Sequence, residues 1–403
     1  MFEGSVPGKQ SGRAVGIALA VFLTATAACW LAGISPSLAL KTGGISNFSL
    51  GGSATVVHPG SGSPTAAELS SVGSGESHVN IAVPKGLKLG QLTTLSTDYR
   101  FAAGTCASGS PRFTANVTNG GRNSSIFFYI GPGNGGCGSS HYSNSGNLAA
   151  PSSLVDAAHL PGGSLNEPYS KVQSDFGTYT VTAVHIDVDG GDSRTQTVDF
   201  DNTRVNSKFV TYEPRHGISV LAQRAQGSIR VKTPGKRGFK NLKKVESIPV
   251  NSVVDTRGGR VEVTAATGNF GDTNPDNSVA FYDGVIRLKQ ARSQNARANA
   301  NLVGKLNCPR GTAGGAKAQK SSGPIATTSR RRRRRVWGSG SGNYSTSGQG
   351  GTGSVRGTTW LTRDTCHGTF FKVTNGIGID VFDFDLNRHV ELGPGQSYFA
   401  RIR

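Results

Sequence analysis

The extended run that ends in Asp187, Asp189 and Asp192 carries the first residues whose types and spacing suggest chemistry. Carboxylate oxygens of this kind are the ligands a hard cation such as calcium takes. The pattern departs from an EF-hand loop, which needs a third ligand two residues after the second, then a glycine and a distant glutamate. In a strand, Asp187 and Asp189 share a face and Asp192 falls in the turn. The expectation is solvated turn carboxylates, with calcium as the alternative. Asp199 and Asp201 make a second same-face pair. Paired carboxylates can serve glycoside hydrolysis, but a wet strand face explains them as well. The eight histidines form neither His-x-His nor His-Glu-x-x-His, so no zinc motif is present. There is no Gly-x-Ser-x-Gly elbow and no Gly-x-x-x-x-Gly-Lys-Ser/Thr loop. No catalytic residue and no cofactor is expected.

The cations are concentrated in one half. Residues 41–210 hold 10 Lys+Arg against 11 Asp+Glu, whereas residues 211–403 hold 31 against 12. The formal charge of +19 therefore belongs to the second half. Lys236, Arg237, Lys240, Lys243 and Lys244 cluster around Pro234-Gly235 and Arg237-Gly238, which puts most of them at a hairpin tip. Arg330, Arg331, Arg332, Arg333, Arg334 and Arg335 run consecutively after a Gly/Ala/Ser/Lys stretch. Such a block repels itself and stays extended. Both clusters suit an anionic envelope polymer, a charged glycan or lipid headgroups. Few aromatics interleave with this arginine run, which argues against base stacking there. Nucleic acid is disfavoured because an exported chain seldom meets it. The plain alternative is a solvated loop.

Five cysteines stand at 29, 106, 137, 308 and 366. Leaving out Cys29, which lies in an apolar segment, four permit three connectivities. Cys106 with Cys137 and Cys308 with Cys366 are favoured, because each pair stays within one half. Free buried thiols are the alternative. Disulfides require an oxidising compartment, and the N-terminus offers a route to one. Lys9 and Arg13 precede an apolar run from Ala14 to Ile34, and Ser37-Leu38-Ala39 suits cleavage after Ala39. The run is also long enough to span a bilayer. A cleaved signal peptide and an uncleaved anchor through residues 14–34 both stand. Either way the remainder is exported, to the cell surface or beyond it.

The elements that must position these groups are strands. Glycine makes up 57 of the 403 residues, which favours β-structure with many turns. The expected organisation is a signal or anchor over 1–39, a disordered linker over 40–77 with one short strand near 54–57, and a β-sandwich over 78–213. A second β domain over 214–308 and 354–403 is interrupted by a low-complexity basic insert over 309–353. Strands are expected near 112–117, 125–130, 178–188 and 195–200, from β-branched runs bounded by turn residues. Asp283-Gly284 and Asn375-Gly376 suit hairpin turns, and Gly393-Pro-Gly395 a tight reversal. Residues 291–301 are polar and helix-tolerant.

Two family resemblances add to this. Gly357-Thr358, Val373-x-x-Gly376 and Val390-x-Leu392-x-x-Gly395 resemble the FecR-type domain, a β module of bacterial cell surfaces. Gly227-Ser-Ile-Arg-Val-Lys, the run from Ile248 and Gly259-Arg-Val-Glu-Val-Thr resemble its first part. The resemblance implies sensing or binding through a protein partner and no catalytic residue. The run from Tyr179 to Asp189, Gly190-Gly191 and the strand with Asp201-Asn202 resemble the closing strands of jelly-roll carbohydrate-binding modules, which implies a glycan ligand. The expectation is an exported, all-β, non-catalytic binding protein for glycan or anionic envelope polymer. The alternatives are a membrane-anchored FecR-like sensor and a secreted carbohydrate-active enzyme.

Overall fold

The structure is a computed structural model that describes residues 48–71, 75–106, 109–131, 134, 136–137, 140–190, 195–266, 278–306, 308 and 334–402. The expected signal or anchor, Asp192 and Arg330 to Arg333 lie outside these. The regular structure of the described chain is nearly all β-strand, with one short α-helix and one 3-10 turn. Among the described residues no helix is long and apolar enough to cross a membrane.

The first half contains β1 (Phe48–Gly51), β2 (Thr55–Val57), β3 (Ala66–Ser71), β4 (Glu76–Ile81), β5 (Leu95–Ala103), β6 (Arg112–Asn119) and β7 (Arg122–Tyr129). The short β8 (Ser143–Asn144), β9 (Leu154–Val155) and β10 (Glu167–Pro168) lead to α1 (Tyr169–Phe176). Then come β11 (Thr180–Asp189), β12 (Gln196–Val205) and β13 (Lys208–Val210). One set of pairings runs β7–β6–β11–β4–β1 and the other β2–β3–β12–β5–β8, with β13 on β12. Alternate residues of both sets, such as Leu50, Val79, Phe113 and Ile186 from one and Leu69, Tyr99 and Phe200 from the other, meet in a single core. Helix α1 buries Tyr169, Val172 and Phe176, which its 3.6-residue period brings to one side.

Residues 40–77 do not form a linker where they are described. Phe48, Leu50, Ala66, Ala67 and Leu69 are all buried. The stretch has few large apolar residues, but small ones suffice between closely paired strands, and backbone bonds to β11 and β12 complete it through β4 and β3.

The second half contains β14 (Ser219–Lys232), β15 (Lys240–Asn241), β16 (Val245–Pro249), β17 (Val253–Thr264), β18 (Ser278–Tyr282), β19 (Val285–Lys289) and β20 (Ala298–Leu302). It continues with β21 (Arg334–Gly340), β22 (Tyr344–Ser347), β23 (Gly351–Val355), β24 (Thr358–Thr365), β25 (Gly368–Gly376), β26 (Ile379–Asp383), β27 (Arg388–Leu392) and β28 (Ser397–Arg401). The long strands β14 and β17 pair along most of their length. From one end of β17 the pairing continues β18–β21–β24–β25–β28. From its other end it continues β19–β20–β22–β23–β26–β27, with β20 and β22 parallel. Residues from both branches, among them Phe281, Leu288, Trp360 and Val381, share a second core.

Stretches 214–308 and 354–403 thus meet in one core, as does part of the expected insert. Residues 334–353 are not low-complexity loop but supply β21, β22 and the start of β23. Residues 298–301, on which the sequence does not decide, fall in the strand β20. The two halves are also joined. Ser49 and Leu50 of β1 pair with Glu246 and Val245 of β16, and Leu221 and Val245 enter the first core. All described residues belong to one compact unit.

The β14–β17 ribbon carries a charge lock. Arg257 donates to both oxygens of Asp255 at 2.8 and 2.7 Å, and Arg230 reaches Oδ2 at 2.6 Å. The hydrogen bonds from Arg257, followed by that from Arg230, hold the Asp255 carboxyl down at about 2. The unfolded chain has the ordinary value near 3.9. A depressed native value means that the lock stabilises fully above that range and is lost as the pH falls towards 2. The difference in thermal midpoint between the wild type and Asp255→Asn should therefore be constant from neutral pH to about 5 and shrink between about 4 and 2. A difference that stays constant through acid titration would contradict the lock.

Candidate functional site

One branch of the second sheet presents a built outer face. Its inward positions are Val261, Phe281, Val336, Trp360, Phe371 and Ala400, all in the second core. The alternate positions face outward, because a strand turns successive side chains to opposite sides. Pairing register sets them in rows. Arg260 stands opposite Tyr282, Tyr282 opposite Trp337, Trp337 opposite Leu361, and Leu361 opposite Lys372. In the adjacent row Arg335 stands opposite Arg363, Arg363 opposite Phe370, and Phe370 opposite Phe399. Four strands in turn offer an apolar or aromatic residue and a cation two positions apart: Arg335 and Trp337, Leu361 and Arg363, Phe370 and Lys372, Phe399 and Arg401. At ~4.8 Å between strands, the row from Arg260 to Lys372 is about 19 Å long.

The side chains in these rows rest on one another. The Arg260 guanidinium carbon lies 5.1 Å from the centre of the Tyr282 ring. The Tyr282 and Trp337 rings are within 5° of parallel, with centres 6.2 Å apart. Arg363 lies 4.9 Å over Phe370, and its buried Nε has no hydrogen-bond partner among the described residues. Stacking of this kind is worth roughly 0.5–1 kcal/mol each at exposed sites. It also pre-arranges the guanidinium edge for an incoming oxygen. Arg335 is ion-paired with Asp283. Lys372, Phe399 and Arg401 are exposed. The face therefore joins stacked rings to forked donors that match carboxylate or phosphate.

The expected anion sites are redistributed. Strand alternation splits the arginine run. Arg334 turns inward to Asp364, at 2.9 Å from its Oδ2, while Arg335 turns outward beside Trp337. These two are therefore not part of a solvated loop. Lys236, Arg237, Lys240 and Lys243 are exposed around the tip at Gly235. Lys240 is nevertheless committed to the buried Glu246 at 3.1 Å, and Lys244 donates to Gly52 at 3.4 Å. Phe239 is the aromatic at this tip, under Arg230.

The aspartates do not assemble a calcium loop among the described residues. Asp189 is ion-paired with Arg112 at 2.6 Å. Asp187 is buried rather than solvated, and Thr114 donates to it. Burial pushes its carboxyl up, and burial pushes the neighbouring His185 down. Asp199 and Asp201 are both fully buried. Asp199 is held by Arg100, and Asp201 by the Ser61 amide and the Ser63 hydroxyl. Burial raises Asp201 to about 6. Asp199 is thus tied to β5, and Asp201 to the loop between β2 and β3. Cys106 is bonded to Cys137, and Cys308 to Cys366.

The residues that sequence reading missed are Arg260, Tyr282, Trp337, Arg363, Phe370 and Lys372. Their signal was the repeated pairing of an aromatic or leucine with a cation at i and i+2 in strand after strand. No family model matches this chain, and no curated protein matches it.

Proposed function

We propose that this chain is an exported, non-catalytic binding protein that holds an acidic polysaccharide of the cell envelope across the Arg260 to Arg401 face. The observation that carries this reading is the pair of rows in which rings and cations alternate on adjacent strands. Charge complementarity selects a polyanion, since Arg260, Arg335, Arg363, Lys372 and Arg401 outnumber Glu262 and Asp283 there. The two disulfides favour an oxidising compartment, which in turn favours an envelope polymer over nucleic acid. The FecR-like turns in the same half and the glycan-module likeness of β11 and β12 support binding over catalysis.

Titration of the full chain with polygalacturonate across a salt series tests the reading. Binding should weaken as salt screens the charges. Trp337→Ala and Arg363→Ala should each lower affinity by about 10–30-fold, the usual cost of a tryptophan or arginine hot spot near 2 kcal/mol. Replacing Lys236, Arg237 and Lys243 with serine should change it less than about threefold. The reverse ranking would move the site to the hairpin tip. Tighter binding of a single-stranded oligonucleotide than of the polysaccharide would overturn the ligand class.

A further inference from the structure

Outside that face, the outer side of the β1–β4–β11–β6 sheet gathers Glu76, His78 and Asp187. Register brings them together. His78 stands opposite Asp187 on one neighbouring strand and opposite Gly51 on the other, and Glu76 lies two residues before His78 on the same face. His78 Nδ1 is 3.6 Å from Glu76 Oε1. One donor atom from each of the three residues lies within 4.8 Å of the others. We propose that Glu76, His78 and Asp187 bind a borderline divalent transition metal ion, zinc being the representative.

Three observations beyond proximity support it. Gly51 leaves room for the imidazole: a Cβ there would overlap the His78 ring. The missing side chain lets the ring lie across β1 with Nδ1 towards Glu76. Asp187 is held by the Thr114 hydroxyl, and the adjacent His185 has its Nε2 3.1 Å from the Asn116 amide nitrogen. Partners of this kind fix donors and their neighbours in orientation around metal sites. The nearby cation is already spent, since Arg112 is paired with Asp189. A second imidazole, that of His185, lies beside His78 with ring centres 6.1 Å apart.

The donor set selects the ion. An imidazole nitrogen with two carboxylates suits zinc and its neighbours, whereas calcium and magnesium take oxygen throughout. In tetrahedral zinc, bonds near 2.0–2.2 Å place donors about 3.3–3.5 Å apart. Glu76 Oε1 and His78 Nδ1, 3.6 Å apart, are already close to that spacing, and the exposed Glu76 side chain is free to adjust. Three protein donors leave one position for water or an outside ligand, as in zinc sites that act on something.

The test is zinc titration of the untagged full chain against a chromophoric chelator, with thermal unfolding alongside. One equivalent should bind, and a hundredfold excess over its Kd should raise the midpoint. Glu76→Gln, at an exposed position that does not threaten folding, should bind at least tenfold more weakly and lose most of the thermal shift. His78→Ala should abolish that equivalent. Cobalt should give the visible absorption of a four-coordinate site in the wild type alone. Equal zinc affinity of the wild type and Glu76→Gln would overturn the proposal, as would calcium displacing zinc at comparable concentration.

Discussion

Arg334→Ser is expected to destabilise the fold by about 3–5 kcal/mol, while Arg335→Ser costs about 0–1 kcal/mol. The two residues are neighbours in one run of like charge, yet a strand turns them to opposite sides. Asp364 is fully buried on its side-chain atoms. It accepts from the Gln349 amide at 3.0 Å and the Thr369 hydroxyl at 2.6 Å, both on Oδ1. Among the described residues its Oδ2 has no hydrogen-bond partner, and Arg334 lies close enough for an ion pair though not aligned as a hydrogen bond. Removing Arg334 leaves that oxygen's charge buried and uncompensated, which is the expensive half of breaking a buried pair. Asp283, the partner of Arg335, is exposed and returns to water. Urea midpoints with unchanged slopes measure the difference. Equal costs would show that β21 does not alternate as described. The same contrast shows why replacing the whole run would confuse folding with binding.

Trp360→Ala should cost about 3–5 kcal/mol, the range for emptying a buried tryptophan site. Trp360 is fully buried at the centre of the second core, edge-on to Phe281 with centres 6.4 Å apart. Its Nε1 donates to the Thr346 hydroxyl at 2.9 Å. Gly338 on the paired strand exists to admit the indole, since a Cβ there would overlap the ring. The cavity cannot collapse easily, because it is walled by strands from both branches. The thermal midpoint should drop by roughly 4–7 °C, since a single unit of this size has a large unfolding entropy. A loss below about 1 kcal/mol would mean that the core repacks freely. The outward face depends on this packing, since Leu361 follows Trp360 directly and stands between Trp337 and Lys372.

The all-β class was legible because alternation and turn residues recur along the chain. Strands β6, β7, β11 and β12 fall where β-branched runs predict them. What failed has physical reasons. Residues 48–71 read as linker because Ala66 and Ala67 carry little apolar surface, although a narrow gap between sheets needs no more. Helix α1 spans two turns, and its Tyr169, Val172 and Phe176 are too few to declare a period. The turn signals were real but did not say which branch the next strand joins. Asp283, Gly376 and Gly395 all take positive φ. Yet among the described residues the pairing registers join neither β18 to β19, nor β25 to β26, nor β27 to β28. The chain crosses between branches at these corners. The candidate face was hidden for the same reason. Trp337, Arg363 and Phe370 become neighbours only through register, and their surroundings in the sequence are ordinary alternating strand.

Hydroxyl-radical footprinting of the full chain with and without polygalacturonate tests the central claim most directly, because it reads the ligand's position without altering a residue. Tyr282, Trp337, Phe370 and Phe399 should be protected together, while exposed Phe239 at the hairpin tip and Phe209 in the first half keep their reactivity. Protection of Phe239 alone, or of first-half residues with Trp337 and Phe370 unchanged, would contradict the account.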